Sequence, residues 1–210
     1  MNIEKEKTRL SRLYDMEREL NHKGYTLVAG VDEAGRGPLA GPVVAGAVIL
    51  SLDSLIIDLK DSKKISENKR NKVYKNIQNN AVAYAYDVVD VEYIDKHNIL
   101  NATLLAMRNA IEKLPIKPDF ILVDALKIPE INIPQRSIRH GDNLCACIAA
   151  ASIVAKVERD RIMKKYDSIF PGYGFLKNKG YGTKEHIDSI KKHGISPIHR
   201  RSFNVKGLDV

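Results

Sequence analysis

The stretch Val28-Ala-Gly-Val-Asp-Glu-Ala-Gly-Arg-Gly37 decides how this chain is read. An apolar, β-favouring run from Tyr25 to Val31 delivers two adjacent carboxylates, Asp32 and Glu33, into a turn rich in glycine. Side chains alternate along a strand, so neighbouring acids point to opposite faces of a sheet. For both to serve one site the chain must bend there, and Gly35 and Gly37 supply the freedom to bend. Arg36 lies between them, with bare backbone N–H groups on either side. Acids suited to a metal, beside glycine amides and an arginine suited to a phosphate or sugar, point towards chemistry on a nucleic acid backbone. Taken alone the motif is weak, because an Asp-Glu pair in a turn is more often solvated surface. A dinucleotide site must also be weighed, since Gly35, Gly37 and Gly41 follow a strand. That site requires the loop to open a helix. Here Pro38 and Pro42 frame the loop, and Val43 to Leu50 (VVAGAVIL) turns back as a second strand.

The chain has 210 residues, enough for one large domain with a full core, and 44% hydrophobic with 29% charged residues is ordinary for a globular protein. No apolar run approaches a membrane span and the N-terminus has no signal-peptide core, so a cytoplasmic location is expected. Cys145 and Cys147 fit a reducing compartment. Two residues apart on an expected helix, they point in different directions and read as core residues. Lys and Arg (34) exceed Asp and Glu (26), giving a net charge of +8, which suits a polyanionic partner without specifying one.

Residues 3–21 read as one polar helix with an apolar stripe at Leu10, Leu13, Tyr14 and Leu20. Strands are expected at about 25–33 and 42–50, a helix capped by Ser66, and a third strand over 81–89. Leu100, Leu104, Met107, Ile111 and Leu114 step at helical spacing and predict a helix over 98–114. Phe120-Ile-Leu-Val123 then reads as a buried strand carrying Asp124 at its end. A charge there is costly unless paired or metal-bound, although a turn or capping Asp is the plainer alternative. Residues 135–140 make a fifth strand. An Ala-rich helix follows from Asn143 to about 167, with Asp142 at its N-cap and small residues for close packing. The segment 170–182 alternates glycine, aromatic and lysine residues. It can press a ring on a sugar while lysines meet phosphate, or it is a solvated loop with one or two tyrosines folded onto the core. Thr183 caps a last helix ended by Gly194, and the tail from Ile198 is basic, then featureless.

With these residues in view, the chain closely resembles the type 2 bacterial ribonucleases H, the ribonuclease HII family. The matching runs are Gly30-Val-Asp-Glu-Ala-Gly-Arg-Gly-Pro38, Leu59-Lys-Asp-Ser-Lys63, Val123-Asp124, Gly141-Asp142, Ala150-Ala-Ser-Ile-Val-Ala-Lys156, Asn178-Lys-Gly-Tyr181 and His199-Arg-Arg-Ser-Phe203. They span nearly the whole chain in the right order. The resemblance implies an α/β, RNase H-like fold: a five-stranded mixed sheet flanked by helices, with a C-terminal helical extension. It implies an N-terminal helix over 1–24, a catalytic core over 25–168 and a substrate-binding loop and helix over 169–210. By similarity the catalytic acids are Asp32, Glu33, Asp124 and Asp142, the first three holding two Mg²⁺ or Mn²⁺ ions, and Asp142 is assigned a looser metal or exchange role. Gly35, Arg36 and Gly37 would read the ribose 2′-hydroxyl, Tyr181 would pack on the neighbouring sugar and Lys63 would meet phosphate. The implied reaction is cleavage on the 5′ side of a ribonucleotide in RNA–DNA hybrids or in duplex DNA with embedded ribonucleotides, leaving 3′-hydroxyl and 5′-phosphate ends. A monomer without membrane partners is expected. The rivals are a non-catalytic hybrid-binding protein of the same fold and a nuclease acting on DNA alone.

Overall fold

The computed structural model describes residues 3–53, 56–60 and 62–204. Asp61 of the Leu59–Lys63 run and the end of the tail therefore lie outside the described residues. Five strands form one sheet: β1 (Val28–Ala34), β2 (Val43–Ile49), β3 (Ala83–Val89), β4 (Phe120–Asp124) and β5 (Gln135–Ile138), in the order β3-β2-β1-β4-β5. The first three are antiparallel neighbours, while β4 and β5 run parallel to β1. This is the mixed sheet that the resemblance implies.

Helices cover both faces. On one face α4 (Val91–Glu112) packs Ala102, Ala106, Met107 and Ala110 against Val31, Ala45, Ala47, Ile121 and Val123. On the other lies α6 (Ala146–Ile169), flanked by α1 (Ile3–Leu13), α2 (Asp15–His22) and α3 (Glu67–Asn80). Between α4 and α6 the sequence makes the short α5 (Gly141–Leu144), and beyond α6 come α7 (Phe175–Asn178) and α8 (Lys184–His193). None of the described helices is long and apolar enough to cross a membrane.

Local chemistry explains most boundaries. The Ser66 hydroxyl accepts from the Lys69 amide and starts α3, and Thr183 does the same for α8 through the His186 amide. Gly194, at φ 76°, ends α8. Three boundaries differ from the sequence reading. The N-terminal segment is two helices, broken at Tyr14, whose fully buried ring makes the break a packing point. The helix expected from residue 98 begins at Val91, but Asn98 (φ 68°) interrupts it, and the Asn98 carboxamide accepts from the Asn101 amide as a second cap. The Ala-rich helix starts at Ala146, not Asn143, because Cys145 is extended (φ −131°, ψ 132°). Asp142 therefore sits inside α5 and is not the cap of the long helix. The Cys147 amide near the N-terminus of α6 is taken by the buried Glu17 carboxylate at 2.8 Å.

The small residues of α6 let it lie against the strands, and two glycines beneath it make the approach closer still. A Cβ on Gly30 would fall 2.1 Å from the Cys147 carbonyl carbon, and one on Gly46 would fall 2.5 Å from the Ala151 oxygen. Both obstacles are backbone, so neither can swing aside. Gly30→Ala should therefore cost about 1–3 kcal/mol or more by overpacking. Gly37→Ala, whose new methyl would meet only Tyr181 Cε1 at 3.7 Å, should stay within about 0.5 kcal/mol. Thermal unfolding compares the two, and equal Tm values would remove the close-approach constraint.

Candidate active site

The site forms where β1 and β4 end. Their parallel register pairs Val31 with Val123, so Asp32 and Asp124 are the next residues on adjacent strands. Alternation puts Ala29, Val31, Ile121 and Val123 on the α4 face. Asp32 and Asp124 accordingly share the opposite face, under α6. The expected bend at the acids does not occur. β1 keeps regular pairing with β2 through Asp32, Glu33 and Ala34, and the turn comes afterwards at Gly35 (φ 102°). Glu33 reaches the same region because its pairing with β4 has already ended. The Asp124 carboxylate accepts from the Gly141 amide at 2.8 Å, which brings the short helix carrying Asp142 to the same end of the sheet. Asp142 itself accepts from the Asn143 carboxamide at 2.8 Å and faces a neighbouring cavity with Arg9, Lys60 and Lys64.

Two of these acids are strongly desolvated. Asp32 is 6% exposed. Burial, then the charges of Glu33 and Asp124, raises its pKa well above the carboxylate range; the Glu33 amide and the Ser152 hydroxyl oppose the shift in part. Burial also raises Glu33, opposed by Arg36 at 3.3 Å and by Lys63, and reinforced by Asp124. The cations nearby are engaged otherwise: Lys156 bonds Asp160 at 2.6 Å and Arg70 bonds Asp160 at 3.3 Å. Hard, desolvated oxygen donors whose like charges raise the pKa of Asp32 and of Glu33 have the chemistry of a divalent-cation site. Among the described residues, no three acidic, histidine or cysteine side chains converge closely enough to grip an ion as they stand. Glu33 is turned to Arg36 and Asp142 to Asn143, and both would have to turn to join Asp32 and Asp124.

Beside the acids opens a cleft of about 660 Å³ lined by Glu33, Gly35, Arg36, Gly37, Lys63 and Tyr181, together with Lys156 and Arg159. Gly37 faces the Tyr181 ring across it. In the 170–182 segment Tyr173 and Phe175 fold into the core, as the plainer reading of that segment expects, while Tyr181 stays 45% exposed.

The sequence reading missed what holds this loop. Arg200, read only as part of a basic tail, is buried, and its guanidinium donates to the carbonyls of Gly35 (2.5 Å), Arg36 (2.9 Å), Gly41 (2.8 Å) and Pro42 (3.3 Å). Arg159, also buried, donates to Pro42, Ala40 and Lys179. Because a peptide plane points its C=O and the next N–H in opposite directions, carbonyls drawn onto Arg200 turn the Arg36 and Gly37 amides away from it. A Cβ on Gly35 would lie 2.1 Å from Arg159 Nε, so the cradle requires glycine there. Below Asp32, Ser152 meets Ser62 at 2.9 Å, and the Ser62 carbonyl accepts from Arg70. Ser62, Ser152 and Arg200 fall in the runs that carry the resemblance, which was the available signal; Arg159 had none.

The sequence model of the family described as Ribonuclease HII matches residues 29–206. A ribonuclease HII of Syntrophus aciditrophicus is 55% identical over 190 residues, 90% of each chain. One of Desulfitobacterium hafniense is 52% identical over 198 residues, covering 94% of this chain and 76% of the relative. Among solved structures, the ribonuclease H2 of Pyrococcus horikoshii superposes with a TM-score of 0.72 at 28% identity, over 84% of this chain and 93% of that one. The chain belongs to the ribonuclease HII family.

Proposed function

We propose that this chain is an endoribonuclease that hydrolyses the phosphodiester 5′ to a ribonucleotide, in RNA–DNA hybrids and in duplex DNA with embedded ribonucleotides. The products are 3′-hydroxyl and 5′-phosphate ends. The observation that carries this reading is the pair Asp32 and Asp124, in register on one face, beside a slot walled by Gly37 and Tyr181. Family membership supports it, as does a basic net charge of +8 facing a polyanion.

Asp32, Glu33 and Asp124 would hold Mg²⁺ or Mn²⁺, with Asp142 as the looser fourth acid. The chemistry such ions supply is Lewis acidity at the attacking water and at the leaving 3′ oxygen. The protein's own residues do the selecting. The outward amides of the Gly35-Arg36-Gly37 backbone meet the 2′-hydroxyl, the group that separates ribose from deoxyribose. Tyr181, supplied by the 169–210 segment, packs on the sugar of the DNA side, and Lys63 meets phosphate from the cleft wall. Asp32, held on Ser152, keeps its carboxylate aimed at the end of β4. We place this activity in the cytoplasm, carried out by a monomer.

Asp124→Asn keeps an oxygen for the Gly141 amide, so the fold should persist. Cleavage should fall by roughly 10³-fold or more while hybrid binding survives, as for groups acting only in the transition state. Unchanged cleavage in a gel assay with either cation would end the catalytic assignment. A duplex with one ribonucleotide should be cut and its all-DNA counterpart left intact; equal cutting of the two would remove the ribose-reading slot. In the same assay Gly37→Ala, which projects a methyl into that slot, should reduce ribose selectivity by about tenfold or more.

A further inference from the structure

Two buried histidines stand behind Tyr181. His186 lies on α8 and His199 in the tail, with imidazole Nε2 atoms 3.1 Å apart. The groups at either end of the pair fix every proton. The Ser196 amide can only donate, and it reaches His199 Nδ1 at 2.8 Å, so that nitrogen carries a lone pair. The His199 proton is therefore on Nε2 and points to His186 Nε2. His186 then carries its own proton on Nδ1, 2.9 Å from the Tyr181 carbonyl, which can only accept. The result is a one-way chain from Ser196 through two neutral rings to the main chain of Tyr181. Phe175 packs edge-on against His186 with centroids 5.4 Å apart, and Tyr173 lies 5.1 Å from His199.

An added proton is poorly placed on either ring. On His186 Nε2 it would oppose the His199 N–H, and on His199 Nδ1 it would oppose the Ser196 amide, leaving the Ser196 hydroxyl, 2.7 Å from that nitrogen, to accept it. The titratable and charged groups around the pair are Tyr173 with its neighbour His193, Arg159 through the Lys179 carbonyl, and Arg200 next in the chain. On α8, Glu185 is paired with Lys177. Among the described residues, no acidic side chain bonds either ring to hold an imidazolium.

We propose that His186 and His199 are positioning residues for the Tyr181 sugar contact, acting as a relay that works only while both rings are neutral. This rests on the reading that Tyr181 packs against the substrate sugar. Burial supports the neutral state: it lowers the His186 pKa, and with His186 alongside it lowers that of His199 to about 4. Because the folded values lie below the unfolded one of about 6.5, the relay's stabilisation is complete above that pH. It is lost as the pH falls towards the folded values.

Steady-state kinetics on a duplex with one ribonucleotide separate the outcomes. His186→Asn keeps a donor at the Nδ1 position for the Tyr181 carbonyl. His186→Gln keeps only the partner for His199. His186→Gln should raise KM about tenfold and His186→Asn far less, with the effect on KM rather than kcat. Tyr181→Ala should raise KM too, and His186→Gln should add little in that background, because residues acting as one unit are non-additive. His199→Gln retains a donor at the Nε2 position, and its amide oxygen can turn to accept from a protonated His186, so the acid rise in KM should be blunted. Equal KM effects of the two His186 variants, full additivity with Tyr181→Ala, or an unchanged pH profile would each overturn the relay while leaving the Tyr181 reading standing. If Tyr181→Ala leaves KM unchanged, the sugar contact itself fails, and the relay's purpose with it.

Discussion

The close approach of α6 to β1 and β2 is the constraint on which the rest of the molecule depends. Its backbone comes within bonding range of where Cβ atoms on Gly30 and Gly46 would be, so only glycine at both positions lets it settle. Once seated, its successive turns reach the site in order. Ile148 packs beneath the strands near Gly141, Ser152 supports Asp32, Lys156 and Arg159 line the cleft, and Met163 fills the space beside Gly41 and Gly180. The spacing of four, four, three and four residues is one helical stripe. A displacement of this helix would therefore disturb the acids and the glycine loop together.

Buried charge serves backbone geometry here more than ion pairing. Arg159 and Arg200 are almost wholly removed from water, and every hydrogen bond they make goes to a carbonyl. Burial without a carboxylate partner works against both charges, but the planar fork matches carbonyls that would otherwise be unsatisfied. Five consecutive donors could not be replaced by the single ammonium of a lysine. The consequence lies on the opposite side of each peptide plane, where amides are turned outward. Arg159 also ties Lys179, two residues before Tyr181, to the loop that faces it. The two sides of the slot are thus tied together by one arginine.

The strands, the two hydroxyl caps, the strand ending in Asp124 and the close-packing helix were legible because each has a local signature: alternation, spacing, a capping residue, a run of small side chains; how the strands pair was implied by the resemblance alone. The glycine loop was legible by its composition. Arg200 and His199 were not, since a basic tail and a buried carbonyl clamp have the same residues, and only the fold decides which carbonyls lie within reach. Asn98 and Cys145 were hidden for a different reason. Periodicity carries across a single residue with altered dihedrals, so one helix and two helices give the same apolar pattern. The bend assigned to Asp32 and Glu33 failed because the strand register continues past them, and the chain ends its pairing with β4 before it ends its pairing with β2.

Asp32 is a charge that the fold desolvates without pairing it to a cation. The groups that favour its charged form are an amide and a hydroxyl. Lys156 stands in the same cleft, yet its ammonium is held by Asp160, and the guanidinium groups of Arg159 and Arg200 are held by carbonyls. Glu33 is matched with cations, through Arg36 and Lys63. A protein selected only for stability would pair or remove a buried carboxylate, because leaving one uncompensated costs several kcal/mol. Here positive charge is abundant nearby and is directed elsewhere, so that compensation for Asp32 has to arrive from outside the chain. That arrangement is what a divalent-cation site needs: a strong oxygen donor in Asp32 with the neighbouring Lys156 and Arg159 held by other partners.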